Sequence, residues 1–219
     1  MEIISSHDFN ALCNRRDLTL MKMTYKRPKL FESEAGEIIK IFYPRKKRFS
    51  SDRYKPYALR FCKNAEALQL RGFITPRINT LQYCPDLNVY VLAYTKLPGV
   101  DLRVFSTDNT AVIADVAEFI AKLHRHGIFF RAIHLENLLR LNNGDLALLD
   151  IVDIQFKKRA IPVYLRFRNL KHLFCVKEDR PFWANYGIAN FLKIYFKSAG
   201  LSYWQRKVLS ILQLYVSPS

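Results

Sequence analysis

Three polar residues lie at places in the sequence where their side chains can do chemistry. Lys40 stands inside an apolar, strand-like run, Asn137 opens a second such run, and Asp150 closes a third. An amide oxygen and a carboxylate are ligands that Mg²⁺ accepts, and a lysine ammonium neutralises phosphate oxygens. The set predicts a site in which Asn137 and Asp150 hold Mg²⁺ and Lys40 binds the phosphates of ATP.

Each of these residues also has a purely structural interpretation. Lys40 alone is more typical of a side chain that extends to water from an edge strand. Asn137 can begin a hairpin by bonding its own backbone, and Asp150 can cap a turn. Asp153 is either a second metal ligand or a turn residue, and the turn is favoured. The order of Lys40, Asn137 and Asp150 along the chain favours the functional interpretation.

The composition predicts a folded protein of one domain or two small lobes. The chain has 219 residues, of which half are hydrophobic and only 7 are Gly and 9 are Pro. This is enough apolar material for a packed core, which excludes disordered and fibrous classes. Four widely separated cysteines without a C-x-x-C pair predict reduced thiols. The first residues lack the pattern of a secretory signal, so we expect a cytoplasmic location.

A large excess of basic residues predicts an anionic partner. Thirty-five Lys and Arg against 19 Asp and Glu give a formal net charge of +16. Two groups stand out, namely Arg45, Lys46, Lys47, Arg48, Arg53 and Lys55, and then Lys157, Lys158, Arg159, Arg166, Arg168 and Lys171. Such groups attract anionic membrane surfaces. Nucleic acid is not expected, because no recognised nucleic-acid-binding module accompanies the charge.

Hydrophobic periodicity predicts a mixed N-terminal part and a mainly helical C-terminal part. The expected elements are strands over 37–43 and 88–94, a helix over 57–70, a helix capped among Thr107, Asp108 and Asn109 and ending at Gly127, a hairpin over 137–151, and helices from Tyr164 onward. The Pro98-Gly99 turn serves as the hinge. We therefore expect an α+β fold with an N-lobe over 1–94, a hinge over 95–100 and a C-lobe over 101–219.

The order of these features resembles that of protein kinases. Lys40 matches the V-A-I-K lysine, the segment 126–139 resembles the catalytic loop H-R-D-L-x-x-x-N with Asn137 in register, and Asp150 matches the D-F-G aspartate. The stretches 36–76, 127–153 and 166–173 resemble the bacterial lipopolysaccharide core kinase superfamily, and most closely its small toluene-tolerance-protein branch.

This resemblance implies a fold, a reaction and a place of action. The fold would be protein-kinase-like and bilobal, with ATP and Mg²⁺ as cofactors. The reaction would transfer the ATP γ-phosphoryl group to a sugar hydroxyl of the lipopolysaccharide inner core. The protein would act as a peripheral protein on the cytoplasmic face of the inner membrane, and we expect a monomer.

The chain departs from the kinase pattern at three places. Ala132 stands where a kinase has its catalytic Asp, so we predict that His134 supplies the base. No glycine occurs in 21–35, and Lys26, with Arg27 and Lys29, is predicted to cover the phosphates instead. The acidic partner of Lys40 is predicted as Glu66, although the resemblance places Phe61 nearer that position.

Two other functional classes follow from these departures. Ala132 is typical of a pseudokinase, a binding or scaffold module that keeps the fold and has lost phosphotransfer. The charge alone is also compatible with a basic nucleic-acid-binding protein, which is the less favoured class. An active ATP-dependent kinase is the leading hypothesis.

Overall fold

The computed structural model describes residues 1–44, 56–103 and 111–215, and these form two compact units, Met1–Leu97 and Pro98–Ser219. The first unit contains a large β-sheet and the second is mainly helical, which confirms the predicted α+β class. The cap candidates Thr107, Asp108 and Asn109 lie outside the described residues, as does the first basic group, between Arg45 and Lys55.

The first unit is built on a six-stranded sheet. Its elements are β1 (Glu2–Ile3), α1 (Ser6–Cys13), β2 (Leu18–Thr24), β3 (Arg27–Ser33), β4 (Glu37–Phe42), α2 (Tyr57–Gln69), β5 (Ile78–Cys84) and β6 (Val89–Thr95). The strand order is β1-β5-β6-β4-β3-β2, with β1 parallel to β5 and the other pairs antiparallel. Since β4 pairs with both β3 and β6, Lys40 lies on a central strand and the edge-strand interpretation is wrong.

Alternation along β4 divides its side chains between the two faces of the sheet. Ile39 and Ile41 pack in a buried cluster with Phe9 of α1. Lys40 and Phe42 therefore face the other side, where both contact Phe61 of α2. The sheet thus places Lys40 on the face covered by α2.

The second unit combines two small sheets with helices. Its elements are β7 (Gly99–Asp101), α3 (Ala111–Arg125), β8 (Ile128–Phe130), β9 (Leu138–Leu141), β10 (Leu146–Leu148), β11 (Ile154–Phe156), α4 (Val163–Cys175), α5 (Arg180–Tyr186), α6 (Ile188–Ser198), α7 (Tyr203–Ser210) and α8 (Leu212–Tyr215). The predicted hairpin is present as the antiparallel pair β9–β10, and β8 pairs with β11. No helix in the described ranges is both long and apolar enough to cross a membrane.

Gly99 has a different structural role from the one its sequence predicts. It belongs to β7, which pairs with β9, and its backbone is not in the left-handed region. A Cβ at this position would overlap the backbone carbonyl oxygen of Arg140. Glycine is therefore required here for close approach of two strands and not for a turn with positive φ.

Aromatic rings join three helices of the second unit. Phe174 of α4 lies edge-to-face with Trp183 of α5 at 4.8 Å and with Phe191 of α6 at 5.2 Å. Trp183 and Phe191 also meet edge-to-face at 5.6 Å. This is the arrangement that ring quadrupoles favour, and the Trp183 indole N–H also donates to the Leu173 carbonyl at 3.1 Å.

A hydrogen-bonded polar network is buried between α3, α4 and α6. Asn169 donates from Nδ2 to the Phe130 carbonyl at 2.6 Å, so its Oδ1 accepts from His124 Nε2 at 2.8 Å. His124 Nδ1 is then the acceptor for the Tyr195 hydroxyl at 2.6 Å, and that hydroxyl accepts from Arg166 at 3.1 Å. Arg166, which the sequence analysis placed in the second basic group, is a buried structural residue.

The network predicts that acid destabilises the fold through His124. Burial lowers the pKa of His124 from 6.5 to about 3. Between these values the unfolded chain binds a proton that the folded chain does not. The free energy of unfolding should therefore fall by up to about 1.4 kcal/mol for each pH unit below about 6.5. Urea unfolding at a series of pH values measures this slope.

Two substitutions separate His124 from other titrating groups. In His124→Gln the dependence on pH should be flatter by the contribution of this imidazole, whereas His126→Gln, at an exposed histidine, should keep the wild-type slope. An NMR titration of the wild-type imidazoles gives an independent measurement. A His124 ring that titrates near pH 6.5 in the folded protein would contradict the prediction.

Candidate active site

The segment that resembles a catalytic loop connects β8 to β9. After Phe130, residues 131–134 lead into a single 3-10 turn, Leu135–Asn137, and β9 begins at the next residue. The Arg131 N–H donates to the Asp153 carbonyl at 2.9 Å, which ties the beginning of the loop to the turn before β11. The loop is thus fixed between two strands that sheet pairing holds in place.

Asn137 is buried and its side chain has a defined orientation. Its Nδ2 donates to the Ala132 carbonyl at 3.0 Å and lies 3.0 Å from His134 Nε2. Because these contacts use the amide nitrogen, the oxygen Oδ1 is the atom that can bind a cation. The orientation agrees with the predicted role of Asn137 as a metal ligand.

The hairpin brings Asp150 next to Asn137. The Leu149 N–H donates to the Asn137 carbonyl at 2.9 Å, and Asp150 is the following residue. Asp150 is exposed and its backbone is left-handed, with φ of 43° and ψ of 49°. A left-handed backbone is uncommon for residues other than glycine, although Asp and Asn adopt it more readily than others. Such conformations cluster at active sites and ligand clamps.

Mg²⁺ fits this pair of residues in the way it fits nucleotide sites. In the part of the chain that the structure describes, no cluster of three or more His, Cys, Asp or Glu could enclose a metal. Mg²⁺ does not need such a cage, because it keeps several waters and uses one or two protein ligands together with substrate phosphates. Asn137 Oδ1 and the Asp150 carboxylate are two oxygen atoms of the kind that would hold such an ion.

His134 is turned into the loop and bonds its neighbours. Its Nε2 faces Asn137 Nδ2, and its Nδ1 lies 3.4 Å from the Arg103 guanidinium. Burial lowers the pKa of His134, while the carboxylates of Asp179 and Glu136 oppose this shift. Asn137 Nδ2 and the Arg103 guanidinium are both donors, and a neutral imidazole has one acceptor nitrogen, so it accepts only one of these two bonds. The contact with Asn137 is the shorter one, at 3.0 Å against 3.4 Å. These contacts favour a role in orienting Asn137, and the role of base stays a prediction.

An ion pair with one fully buried partner anchors the loop, and no sequence pattern indicates it. The fully buried Asp179 accepts from the Leu135 N–H at 2.8 Å and from Arg103 Nε at 2.8 Å. Arg103 also donates to Glu136 at 2.8 Å. Arg103 and Asp179 are 76 residues apart and belong to no motif, so no spacing rule connects them.

Lys40 lies in the first unit against aromatic rings. Its buried ammonium is 5.2 Å from the ring centre of Phe61 and 5.5 Å from that of Phe42, within the range of cation–π contacts. Phe61 thus occupies the place beside Lys40 that the resemblance had indicated. Glu66 is an exposed residue further along α2, and its pairing with Lys40 stays a prediction.

Lys26 is an exposed residue at the tip of the β2–β3 hairpin. Tyr25 and Lys26 form the turn, with φ of 49° and 62°. Two successive residues with positive φ define the tight turn that suits twisted hairpins, although glycine and asparagine are its usual residues. The hairpin therefore forms without glycine. The contact of Lys26 with phosphates stays a prediction.

Comparisons with known proteins support the fold more strongly than any particular activity. Neither a family model nor a curated protein sequence matches the chain. The solved structure of an aminoglycoside-3'-phosphotransferase of type VIII matches with a TM-score of 0.64 and 12% identity, over 93% of this chain and 96% of that one. The bifunctional kinase-methyltransferase WbdD matches with a TM-score of 0.50 and 14% identity, over 84% of this chain.

The similarity covers different shares of the two proteins. This chain spans about half of WbdD, 47% of its length, and nearly all of the aminoglycoside phosphotransferase. At these identities the likeness establishes architecture. The protein therefore has the protein-kinase-like fold that its sequence predicted, with a sheet-based N-terminal unit and a mainly helical C-terminal unit.

Proposed function

We propose that this protein is an ATP-dependent kinase that transfers the γ-phosphoryl group of ATP to a sugar hydroxyl of the lipopolysaccharide inner core. The observation that carries the proposal is the paired placement of Asn137 and Asp150. The Leu149–Asn137 backbone bond places these residues side by side, and the contacts of Nδ2 leave Oδ1 for the cation. The neighbouring folds are those of phosphotransferases, and the sugar acceptor comes from the sequence resemblance.

In this proposal each residue acts mainly by binding and neutralising charge. Bound Mg²⁺ neutralises charge that develops on the phosphates. Asn137 and Asp150 would hold the ion, and the Lys40 ammonium would contribute positive charge to the phosphates. Phosphoryl transfer depends chiefly on positioning and electrostatic stabilisation. A kinase can therefore retain turnover when Ala132 replaces the usual base.

The second candidate is a pseudokinase, and Ala132 is the observation that favours it. A methyl group accepts no proton from an acceptor hydroxyl. In that case the fold and the cation site would persist as a binding module without phosphotransfer. Binding of nucleotide and transfer of phosphate are therefore measured separately.

An anionic membrane surface is the partner we propose for the second unit. On α7, Trp204, Val208 and Ile211 form an exposed apolar stripe at helical spacing, extending into the residue after the helix. Lys207 lies 4.9 Å from the ring of the exposed Tyr203 and 5.5 Å from that of Trp204. Tryptophan and tyrosine beside basic residues are typical of segments that lie in a membrane interface.

The first test is calorimetric titration with ATP in the presence and absence of Mg²⁺. Asp150→Asn keeps a residue that accepts the left-handed backbone and removes the charge. Lys40→Met keeps the apolar stem. Each should weaken Mg²⁺-dependent binding about tenfold or more, as expected when a charged group loses its partner. Asp145→Asn, the same change in the exposed turn of the hairpin, should leave binding unchanged.

Several outcomes would contradict the proposal. If the folded wild-type protein has no affinity for ATP, the kinase hypothesis is wrong. If the protein binds ATP but transfers no labelled γ-phosphoryl group to inner-core oligosaccharide, the pseudokinase hypothesis is favoured. Salt-sensitive binding of DNA or RNA that Asp150→Asn preserves would favour the nucleic-acid binder.

A second test decides the role of His134. Because its acceptor nitrogen meets Asn137, His134→Gln should raise the Mg²⁺ concentration needed for half-maximal transfer about tenfold, as loss of one orienting contact does at metal sites. The pH dependence of the rate should keep its wild-type shape. Loss of the acidic limb with an unchanged Mg²⁺ requirement would instead show that His134 is the base.

The membrane contact is tested by vesicle sedimentation. Wild-type protein should bind phosphatidylglycerol vesicles and not phosphatidylcholine vesicles. Lys207→Gln should bind about fivefold more weakly, since one basic residue near an anionic surface contributes about 1 kcal/mol, and Trp204→Ser should also bind more weakly. Tyr164→Ser, at an exposed aromatic residue of α4, is the control. Equal binding of the vesicles by all variants would show that α7 does not contact the membrane.

A further inference from the structure

A basic pocket lies beside the position of the missing catalytic Asp. It has a volume of about 420 Å³ and is lined by Arg131, Ala132, Asp153, Arg168, Lys171, His172 and Cys175. This volume falls within the range of about 300–1,000 Å³ that is typical of small-molecule sites. It exceeds what a phosphate ion needs and is large enough for a monosaccharide.

One face of α4 forms the basic wall of the pocket. Arg168, Lys171, His172 and Cys175 are spaced at i, i+3, i+4 and i+7, which places them on a single helical face. The Arg168 guanidinium lies 5.9 Å from the ring centre of the buried Phe129, a contact that restrains the side chain. The opposite face of α4 is buried, so the helix holds these groups on a rigid support.

The charges in the pocket favour an anion. Among the described lining residues, two arginines and one lysine stand against a single carboxylate, that of Asp153. Arg131, Arg168 and Lys171 are exposed at the pocket, where an anion can reach them. Guanidinium groups bind phosphate and carboxylate through paired hydrogen bonds.

The pocket is distinct from the residues predicted to hold Mg²⁺. Asn137 and Asp150 do not line it, whereas Ala132 does. In a kinase the residue in the place of Ala132 faces the hydroxyl that accepts the phosphoryl group. The pocket therefore borders the expected position of the acceptor and not that of the nucleotide phosphates.

We propose that this pocket binds an anionic substituent, a phosphate or a carboxylate, carried by the acceptor sugar. The proposal rests on the proposed function for the identity of the acceptor. It deepens that function by assigning the acceptor's chemical class: a sugar that already carries a negative charge. Binding through Arg168 and Lys171 holds the sugar at Ala132, the position that carries the catalytic carboxylate in a kinase.

Cys175 provides a readout of pocket occupancy that does not depend on activity. It is exposed in the pocket, whereas Cys84 is buried and burial raises the pKa of Cys13 and of Cys62. Thiols with a raised pKa react slowly, so the other cysteines serve as internal references. Alkylation by iodoacetamide, followed by peptide mass spectrometry, gives the rate at each cysteine.

The experiment compares charged and neutral sugars on the whole 219-residue chain. Glucose 6-phosphate and glucuronate should slow alkylation of Cys175, and glucose should not. The variants Arg168→Gln and Lys171→Gln should each weaken this protection about tenfold, the effect expected for loss of one charged contact. Lys158→Gln, at an exposed lysine outside the lining, should behave as the wild type.

Further arms identify the source of the anion. Inorganic phosphate should protect Cys175 at least about tenfold more weakly than glucose 6-phosphate, because it lacks the sugar contacts. Inner-core oligosaccharide should protect Cys175. Protection that falls after phosphatase treatment identifies a phosphate as the anion, and protection that is kept identifies a carboxylate. Equal protection by inorganic phosphate and glucose 6-phosphate would show that the sugar is not recognised. Protection that both Arg168→Gln and Lys171→Gln retain would show that the anion does not bind in this pocket.

The outcome is separable from that of the kinase proposal. MgATP binding is measured on the same variants, and Arg168→Gln should leave it unchanged. A protein that binds MgATP but shows no protection of Cys175 by any anionic sugar retains the kinase and loses this inference. A protein that shows protection of Cys175 by anionic sugars but does not bind MgATP retains the anion-binding pocket and loses the kinase proposal.

Discussion

The segment from Arg131 to Asn137, which resembles a kinase catalytic loop, depends on the buried carboxylate of Asp179. Asp179 has no exposed side-chain surface, and a charge in that environment is costly unless it is paired and hydrogen-bonded. It meets both requirements through the Leu135 N–H and the Arg103 guanidinium. Since Leu135 begins the turn that ends at Asn137, the carboxylate sets where that turn starts. The anchor therefore fixes the start of the backbone turn that carries Asn137.

A second constraint comes from α4, which serves two regions of the unit at once. Its buried face carries Asn169, whose amide holds the Phe130 carbonyl at the end of β8, immediately before the loop. Its other face carries the basic side chains of the pocket. The His124 network fixes the rotation of the helix about its axis, because Asn169 and Arg166 must both reach their partners. Packing chemistry on one side of α4 thereby determines which charges the other side presents.

Local patterns account for what could be predicted from the sequence. The hairpin around Asn142–Asp145 and the helix α2 depend on turn residues and periodicity. The helix α2 lies within one residue of its expected bounds, and the hairpin ends at Leu148, three residues before its expected end. The adjacency of Asn137 and Asp150 follows from the hairpin alone. The Arg103–Asp179 pair and the contact of Arg103 with His134 join distant segments, so spacing could not reveal them. Gly99 was misjudged because close approach of strands leaves no signal in one strand's sequence.

The left-handed backbone of Asp150 limits which residues can occupy that position. Glycine, asparagine and aspartate adopt this conformation at modest cost, whereas β-branched and bulky residues are strained there. A purely structural turn at this position therefore favours three residue types, of which two are uncharged. This chain has the one type that carries a negative charge. Variants at position 150 can therefore distinguish two requirements. Glycine and asparagine satisfy the backbone conformation, and only aspartate also supplies a negative charge.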